Sequence, residues 1–259
     1  MDSWRFIPLE IRNGYWNMAL DEAILKSRIE KKSPSTIRVY KWQPSTVSMG
    51  RHQSISAEVD VDIVREKGFN VVRRITGGGS VFHDSQGEIT YSVVCSLKFL
   101  ERKGYKKVME QYEIITQGIV YAVEKYQFDS DQGVIHCPAL FLGGKKFSGN
   151  ARVTRSNYLL QHGTILLEIR PELMYSILKA PNNVPRKKMV ASVFAKVIGI
   201  KEIISNFQET EFLSYLIEGF EKSLGIKLEK GEFTQYELDL AEKLLKEKYS
   251  SKDWLYKYE

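Results

Sequence analysis

Residues Arg73 to Tyr91 read R-R-I-T-G-G-G-S-V-F-H-D-S-Q-G-E-I-T-Y and place three consecutive glycines between a pair of arginines and a His-Asp step. A strand is predicted on each side, one ending at Arg73 and one beginning near Ile89. Because glycine has no Cβ, a ligand can lie against bare backbone N–H groups in this loop. The arginines indicate an anionic ligand, although strand alternation allows only one of Arg73 and Arg74 to face the loop easily.

The hydrophobic pattern outside this loop alternates between strands and helices. Strands are predicted at Thr36–Trp42, Thr46–Met49, Phe69–Arg73, Ala139–Leu142, Lys145–Arg152 and Tyr158–Ile169, and helices after Asn13, over Asp60–Lys67, from Val108 to Tyr126, around Phe212–Phe220 and after Thr234. The helix capped by Asn13 is expected to be an amphipathic surface helix. The polar stretch from Pro171 to Ala191 predicts a loop that becomes ordered on ligand binding.

Composition narrows the class of protein. The 259 residues are 43% hydrophobic and 27% charged, as in an ordinary globular protein. No apolar run approaches the roughly 20 residues that cross a bilayer, so no membrane partner is expected. The net charge of +6 comes without a basic block, which argues against a nucleic-acid partner. Cys95 and Cys137 show neither a disulfide framework nor metal-ligand spacing, so we expect a cytoplasmic protein without a metal site of its own.

Two further clusters could carry chemistry. The first is G-G-K-K-F-S-G-N-A at Gly143 to Ala151, a predicted hairpin in which strand alternation turns only one lysine toward a site. If that lysine is Lys146, its ammonium could stabilise charge that builds during acyl-phosphate chemistry. The second is Q-H-G-T, with His162 at a strand start. Taken singly, His83 and His162 could equally be buried structural histidines.

The order and spacing of R-R-I-T-G-G-G-S-V-F-H-D, K-K-F-S-G-N-A and H-G-T-I-L-L resemble the lipoate-protein ligase A family. N-M-A-L-D-E from Asn17 and W-Q-P-S-T-V-S-M-G-R-H-Q from Trp42 support the resemblance, which covers most of the chain. It implies an α/β fold with a mixed (α+β) sheet, the biotin/lipoate-protein ligase-like catalytic domain related to class II synthetases. One catalytic domain over residues 1–259 is expected, with a helical C-terminal portion at about 200–259.

The resemblance also implies an activity and a site. The family activates lipoate with ATP and Mg²⁺ to lipoyl-AMP, then transfers the lipoyl group to a lysine of an acceptor, a lipoyl domain of a 2-oxo-acid dehydrogenase E2 or the glycine-cleavage H protein. By motif position, Lys146 is the catalytic lysine that contacts both substrates. The ATP or adenylate would contact Arg74, Gly79, Ser80, Val81 and Phe82, and lipoate would contact Gly77, Gly78, His83 and His162.

Two departures from the family pattern leave alternatives open. The chain ends soon after Trp254, which implies a separate small accessory subunit for adenylation, and Lys196 stands where arginine is usual. A related octanoyltransferase, which needs no ATP, would form an acyl thioester on Cys137. We expect the ligase, because Cys137 lies close to Lys146 in sequence and Gly79 occupies a position where those transferases tend to have arginine. A biotin ligase is less favoured, because the motifs follow lipoate ligases. The remaining alternative is a non-catalytic module that binds lipoyl domains.

Overall fold

The computed structural model describes residues 2–133, 138–181 and 184–259, which form a mixed α/β structure. The strands are Asp2–Arg12 (β1), Thr36–Trp42 (β2), Thr46–Met49 (β3), Asn70–Arg73 (β4), Val81–His83 (β5), Glu88–Ser96 (β6), Ser130–Gly133 (β7), Ala139–Leu142 (β8), Lys145–Arg155 (β9), Tyr158–Leu166 (β10) and Ile226–Lys230 (β11). The helices are Gly14–Ile29 (α1), Ile55–Glu58 (α2), Val61–Glu66 (α3), Leu97–Arg102 (α4), Val108–Glu124 (α5), Pro171–Ile177 (α6), Arg186–Lys196 (α7), Glu209–Leu224 (α8), Gln235–Leu244 (α9) and Lys252–Leu255 (α10).

The strands form two sheets. Eight of them lie in the order β11-β1-β2-β6-β10-β9-β8-β7, and three form a small sheet in the order β4-β3-β5. In the large sheet β1 is parallel to β11 and β2, whereas the pairs from β2 to β7 are antiparallel. The mixed sheet predicted from the family resemblance is therefore confirmed.

Each face of the large sheet is covered by helices. One core contains side chains of α5 and α8, including Ile119 and Phe220, together with Val93 of the sheet. The other contains α1 and α9. Gly118 and Gly219 allow α5 and α8 to approach closely, since a Cβ on Gly219 would lie 2.1 Å from the carbonyl oxygen of Gly118. A third core lies behind the small sheet.

Helix α1 begins as predicted but is not a surface helix. The Asn13 side chain accepts a hydrogen bond from the backbone N–H of Trp16, which caps the helix. Asn17 to Leu25 are all buried, including Glu22 at 2% exposure. Glu22 is tolerated there because Lys248 and Tyr249 donate hydrogen bonds to its Oε2, each at 2.6 Å. The prediction of an amphipathic surface helix was wrong because it treated Glu22 as solvent-facing, whereas the partners that bury it come from the far end of the chain.

The segment predicted as a loop at Pro171 to Ala191 contains α6 and the first part of α7 instead. Pro171 takes the first turn of α6, where its missing N–H costs nothing. Helix α7 has no buried residue, and Pro181, Pro185 and its basic start gave this stretch the polar, proline-containing pattern of a loop. Asn182 and Asn183, between the two helices, lie outside the described residues.

The C-terminal portion after residue 200 is mostly helical and also supplies an edge strand. Its elements are a 3₁₀ turn at Ile200–Glu202, then α8, β11, α9, a π-helical turn at Leu245–Tyr249 and α10. Strand β11 pairs in parallel with β1, and Thr234 forms a capping box with Glu237 at the start of α9. In the part of the chain that the structure describes, no helix is long and apolar enough to cross a membrane.

Candidate active site

A cavity of about 490 Å³ opens between the large and small sheets. This volume is in the range of small-molecule pockets. Its apolar wall consists of Met18, Tyr40, Trp42, Val81, Phe82, Leu166, Met174, Tyr175 and Val197. Polar groups come from Ser48 and Thr90, and from the glycine loop and the strands β9 and β10. The cavity therefore suits an apolar chain that carries a polar reacting end.

Nine of the ten residues predicted for the site line this cavity. They are Arg74, Gly78, Gly79, Ser80, Val81, Phe82, His83, Lys146 and His162. Gly77 does not line it, and its carbonyl accepts a hydrogen bond from Arg74 instead. Of three apolar side chains near the glycine loop, Val81 lies in the cavity, whereas Tyr91 and Val72 are buried in the first and second cores.

The two arginines before the glycine loop diverge, as strand alternation predicts. Arg73 is fully buried and donates to the carbonyl oxygens of Trp254, Leu255 and Gln53. Arg74 faces the loop, and its Nη2 donates to the carbonyl oxygens of Gly77 and Gly79 at 2.8 Å each. Arg73 therefore holds the C-terminal segment, while Arg74 shapes the backbone of the loop.

The glycine loop passes close to the turn after β3. A Cβ on Gly50 would lie 1.8 Å from the carbonyl oxygen of Gly78, so position 50 has no room for a side chain. Gly78 has φ +95°, which only glycine adopts without strain. The loop is thus fixed by backbone contacts that require glycine on both sides.

His83 is oriented by a carboxylate and a hydroxyl. Its Nδ1 lies 2.7 Å from Glu88 Oε1 and its Nε2 lies 2.7 Å from Ser48 Oγ. Because the Glu88 carboxylate can only accept, Nδ1–H donates to it, and Nε2 accepts a hydrogen bond from the Ser48 hydroxyl. The ring stacks on Trp42 with centroids 4.0 Å apart.

His162 repeats this arrangement with different partners. Its Nδ1 lies 3.2 Å from Asp21 Oδ2, and its Nε2 lies 2.8 Å from Thr76 Oγ1. Arg74 joins the two histidine systems, since Nη1 donates to Ser48 Oγ and Nε donates to Thr76 Oγ1, both at 3.1 Å. A continuous hydrogen-bonded chain therefore runs beneath the glycine loop from one histidine to the other.

Burial sets the charge states at the Asp21 end of this chain. Desolvation lowers the pKa of His162, and the neighbouring Asp21 only partly offsets this effect. Burial acts to raise the pKa of Asp21, but the hydrogen bond from His162 and the charge of Arg38 outweigh it, so the pKa is lowered. The carboxylate receives Arg38 Nη1 at 3.1 Å and the hydroxyl groups of Tyr40 and Ser92 at 2.9 Å. An ionised Asp21 thus faces a neutral His162.

Lys146 is the ammonium group of the cavity. It lies half-buried on β9, and a Cβ on Gly149 would be 3.0 Å from its Nζ. Among the described residues, no hydrogen bond or ion pair engages that Nζ. Its backbone is fixed by a bridge to Val197, with Ile198 N–H donating to the carbonyl oxygen of Lys146 at 3.0 Å. Lys146 is therefore positioned to act on a group bound in the cavity.

The sequence-based prediction did not include several residues that build the site. Asn150 receives the Tyr91 hydroxyl at 2.7 Å, and Gly163 leaves room for this, since a Cβ there would lie 2.1 Å from Asn150 Oδ1. Trp42, Thr90 and Met174 also line the cavity. The S-G-N motif signalled Asn150, but Met174 comes from the segment predicted to be a loop.

Of the two cysteines, only Cys95 lies within the described residues. Cys95 is buried, and desolvation raises the pKa of its thiol to about 12. Cys137 lies outside the described residues. The neighbouring Pro138 is described, and its carbonyl oxygen accepts hydrogen bonds from the backbone and side-chain nitrogens of Asn150, a cavity residue. Across residues 2–133, 138–181 and 184–259, no group of three or more His, Cys, Asp or Glu side chains could hold a metal ion.

Comparison with known proteins gives the class to which this fold and site belong. A sequence model of the lipoyl protein ligase A/B catalytic domain matches residues 13–221. The chain belongs to this family.

Relatives that align over the full length of the chain carry a more specific name than the family does. The chain is 33% identical to octanoyltransferase LipM of Brevibacillus brevis, with 98% of this chain and 99% of the relative covered. It is 35% identical to octanoyltransferase LipM of Geobacillus kaustophilus, with 98% of each covered. The corresponding protein of Bacillus subtilis is 33% identical over 99% of each chain.

Solved structures confirm the lipoate ligase-like fold. A chain from the structure of a bipartite lipoate protein ligase and its E2 lipoyl domain from Thermoplasma acidophilum superposes with a TM-score of 0.86 at 25% identity, covering 100% of this chain and 98% of that one. Lipoate-protein ligase A bound with ATP superposes with a TM-score of 0.83 at 24% identity, covering both chains fully, and at that identity the likeness shows the fold alone.

These relatives correct the predicted activity. The resemblance implied an ATP-dependent lipoate ligase with ATP, Mg²⁺ and lipoate as ligands, but the full-length relatives at 31–35% identity are octanoyltransferases, which need no ATP. The prediction was wrong because it gave decisive weight to Gly79 and to the short spacing between Cys137 and Lys146. Motifs that build the shared pocket do not identify how the acyl group is activated.

Proposed function

We propose that this protein is an octanoyltransferase, which moves an octanoyl group from a thioester on a carrier protein to a lysine of a lipoyl-accepting protein. The observation that carries the proposal is the similarity to octanoyltransferases over nearly the whole chain. The cavity supports it, because its apolar wall suits an eight-carbon chain and Lys146 places one ammonium beside that wall.

The reaction needs two acyl transfers. In the first, a cysteine thiolate attacks the carbonyl carbon of the donor thioester, and the carrier leaves as a thiolate that takes up a proton. In the second, the neutral amine of the acceptor lysine attacks the enzyme thioester, an amide forms, the amine loses a proton and the cysteine thiol is restored. The balance requires no nucleotide and no metal ion.

Cys137 is the proposed nucleophile. A thiol must ionise to attack, and the pKa of about 12 leaves Cys95 almost wholly protonated at neutral pH. Cys95 also packs within the core beneath α5. Cys137 directly precedes Pro138, whose carbonyl oxygen is bound by the cavity residue Asn150. The chain on the C-terminal side of Cys137 therefore begins at the wall of the cavity.

Lys146 is proposed to stabilise negative charge in both steps. A thiolate precedes the first attack, and an oxyanion forms at the acyl carbon in each tetrahedral intermediate. An ammonium that binds no described side chain can meet this charge without first breaking another contact. The glycine loop, shaped by Arg74, is proposed to hold the polar end of the acyl donor, with His83 and His162 fixing the base of the pocket.

The proposal extends to partners, location and domain organisation. We propose a lipoyl domain of a 2-oxo-acid dehydrogenase or the glycine-cleavage H protein as acceptor. The accessory subunit was expected only for adenylation, so transfer should proceed without it. A cytoplasmic location suits a nucleophilic thiol, which must stay reduced. The described chain is proposed to act as one catalytic domain, since β11 completes the sheet that carries the site.

The test is to incubate the purified chain with an octanoyl carrier protein and measure its mass. The wild type should gain one octanoyl group and pass it to an acceptor lipoyl domain. Cys137→Ser should gain none, or form an ester that turns over slowly, while the matched variant Cys95→Ser should behave as wild type. Octanoyl transfer by Cys137→Ser at the wild-type rate would contradict the assigned nucleophile. A requirement for ATP in acylation of the lipoyl domain would contradict the transferase itself.

A further inference from the structure

Helix α7 and its flanks are strongly basic. The segment 173–200 contains five cationic side chains and no aspartate or glutamate: Lys179, Arg186, Lys187, Lys188 and Lys196. Within the described residues, Lys187, Lys188 and Lys196 form no ion pair, and all three are exposed. The segment therefore presents uncompensated positive charge to any approaching molecule.

Helix α7 adjoins the rim of the cavity. Met174 and Tyr175 of α6 line the cavity, as does Val197, the residue that follows α7, and all three are only partly buried. Arg186 donates to the carbonyl oxygen of Glu172 at 2.8 Å and thereby ties the start of α7 to α6. A molecule bound on α7 would thus stand beside the rim of the cavity.

The helix also lacks the burial that normally stabilises one. None of its 11 residues is buried, and Phe194 is 44% exposed. Its fixed contacts are few, and they include the Lys145 ammonium donating to the carbonyl oxygen of Phe194 at 2.8 Å. Since isolated helices of this length are marginal in water, an outer face with basic and apolar side chains fits a surface that a partner covers.

We propose that α7 is the docking helix for the acidic carrier protein that delivers the octanoyl thioester. This inference rests on the proposed function, which requires a protein-bound donor. In this proposal the acyl chain enters beside Met174 and Val197 while its thioester is still attached to the carrier, and the carrier surface stands against this rim of the cavity. A carboxylate-rich carrier complements the cations of α7, and Phe194 supplies an apolar contact within the basic surface.

The test compares a protein donor with a small one. Lys187→Glu/Lys188→Glu reverses two charges on α7, and Lys227→Glu/Lys243→Glu makes the same change at exposed positions on β11 and α9. Acylation by the octanoyl carrier protein should slow about tenfold or more in the α7 variant. Acylation by octanoyl-pantetheine should be unchanged, the control variant should match wild type with both donors, and added salt should shrink the difference.

Other results would overturn the assignment. An equal loss with octanoyl-pantetheine would mean that α7 shapes the pocket and does not dock the carrier. A loss confined to transfer from the acylated enzyme to the lipoyl domain would assign α7 to the acceptor. Binding of the carrier to wild type and variant, measured by titration without turnover, separates the two proposals. If the variant loses carrier binding and neither donor acylates the wild type, α7 remains the docking helix and the transferase proposal is rejected.

Discussion

His83 and His162 are coupled through a single guanidinium: each Nε2 lies within 2.8 Å of a hydroxyl to which Arg74 also donates. Each Nδ1 in turn faces a carboxylate, Glu88 for one and Asp21 for the other. Both rings are therefore held as the tautomer that accepts a hydrogen bond at Nε2, and the same network fixes the carbonyls of the glycine loop.

The pH dependence of stability should report the buried His162. Since burial lowers its pKa, the unfolded chain binds a proton near pH 6.5 that the folded chain does not bind. The free energy of unfolding should fall as the pH drops below about 6.5, by up to about 1.4 kcal/mol per pH unit, until the folded-state pKa is reached. Urea unfolding of wild type and His162→Gln between pH 7 and pH 5 measures the difference. Equal slopes for the two proteins would show that His162 is not held neutral.

Removal of the Lys146 ammonium should abolish activity and spare the fold. Lys146→Ala should slow octanoyl transfer by about 100-fold or more, because the oxyanion and the thiolate lose their neutralising charge. Its melting temperature should stay close to that of wild type, since Nζ forms no hydrogen bond with the described residues. Lys146→Arg, which keeps the charge, should retain part of the activity. Transfer by the alanine variant at wild-type rate would remove Lys146 from the mechanism.

Gly50 should be intolerant of a side chain, although it lies outside the G-G-G motif. Gly50→Ala would place a Cβ against the carbonyl oxygen of Gly78, so the loop must move. We expect a loss of roughly 1–3 kcal/mol in the free energy of unfolding and a raised KM for the acyl donor. Gly77→Ala is the matched control, because a Cβ there meets nothing within 4 Å. Similar behaviour of the two variants in urea unfolding and kinetics would contradict this close approach.

Arg73 should matter for stability. Its guanidinium donates to carbonyl oxygens of Trp254 and Leu255, and Trp254 Nε1 donates back to the carbonyl oxygen of Arg73 at 2.8 Å. Arg73→Met should lower the free energy of unfolding by roughly 3 kcal/mol or more and expose the C-terminal segment to limited proteolysis. Arg65→Met, at an exposed ion pair with Asp62, should change stability by less than about 1 kcal/mol. An undigested C-terminal segment in Arg73→Met would show that other contacts hold it.

Local chemistry made some elements predictable. Asn13, Asp60 and Thr234 each cap a helix through a hydrogen bond within three residues, and Gly68 ends the α3 segment with φ +67°. Such signals are complete within a short window, so the sequence shows them. The burial of α1 and the helical state of α7 were not predictable in this way, because the first depends on distant partners of Glu22 and the second lies in a polar, proline-containing stretch and buries no side chain.

The sequence by itself determined the strand and helix periodicity, the caps and the ordered motifs that define the family, because each depends on neighbours along the chain. The tertiary structure decided which of those residues meet. His162 reaches Thr76 across 86 positions and Asp21 across 141, and Arg73 reaches Trp254 across 181. These contacts depend on the order of strands in the sheet, which local periodicity does not encode. The glycine loop is thus encoded in one motif, but its shape is set by Arg74, which connects the loop to Ser48 of β3 and, through Thr76, to His162 of β10.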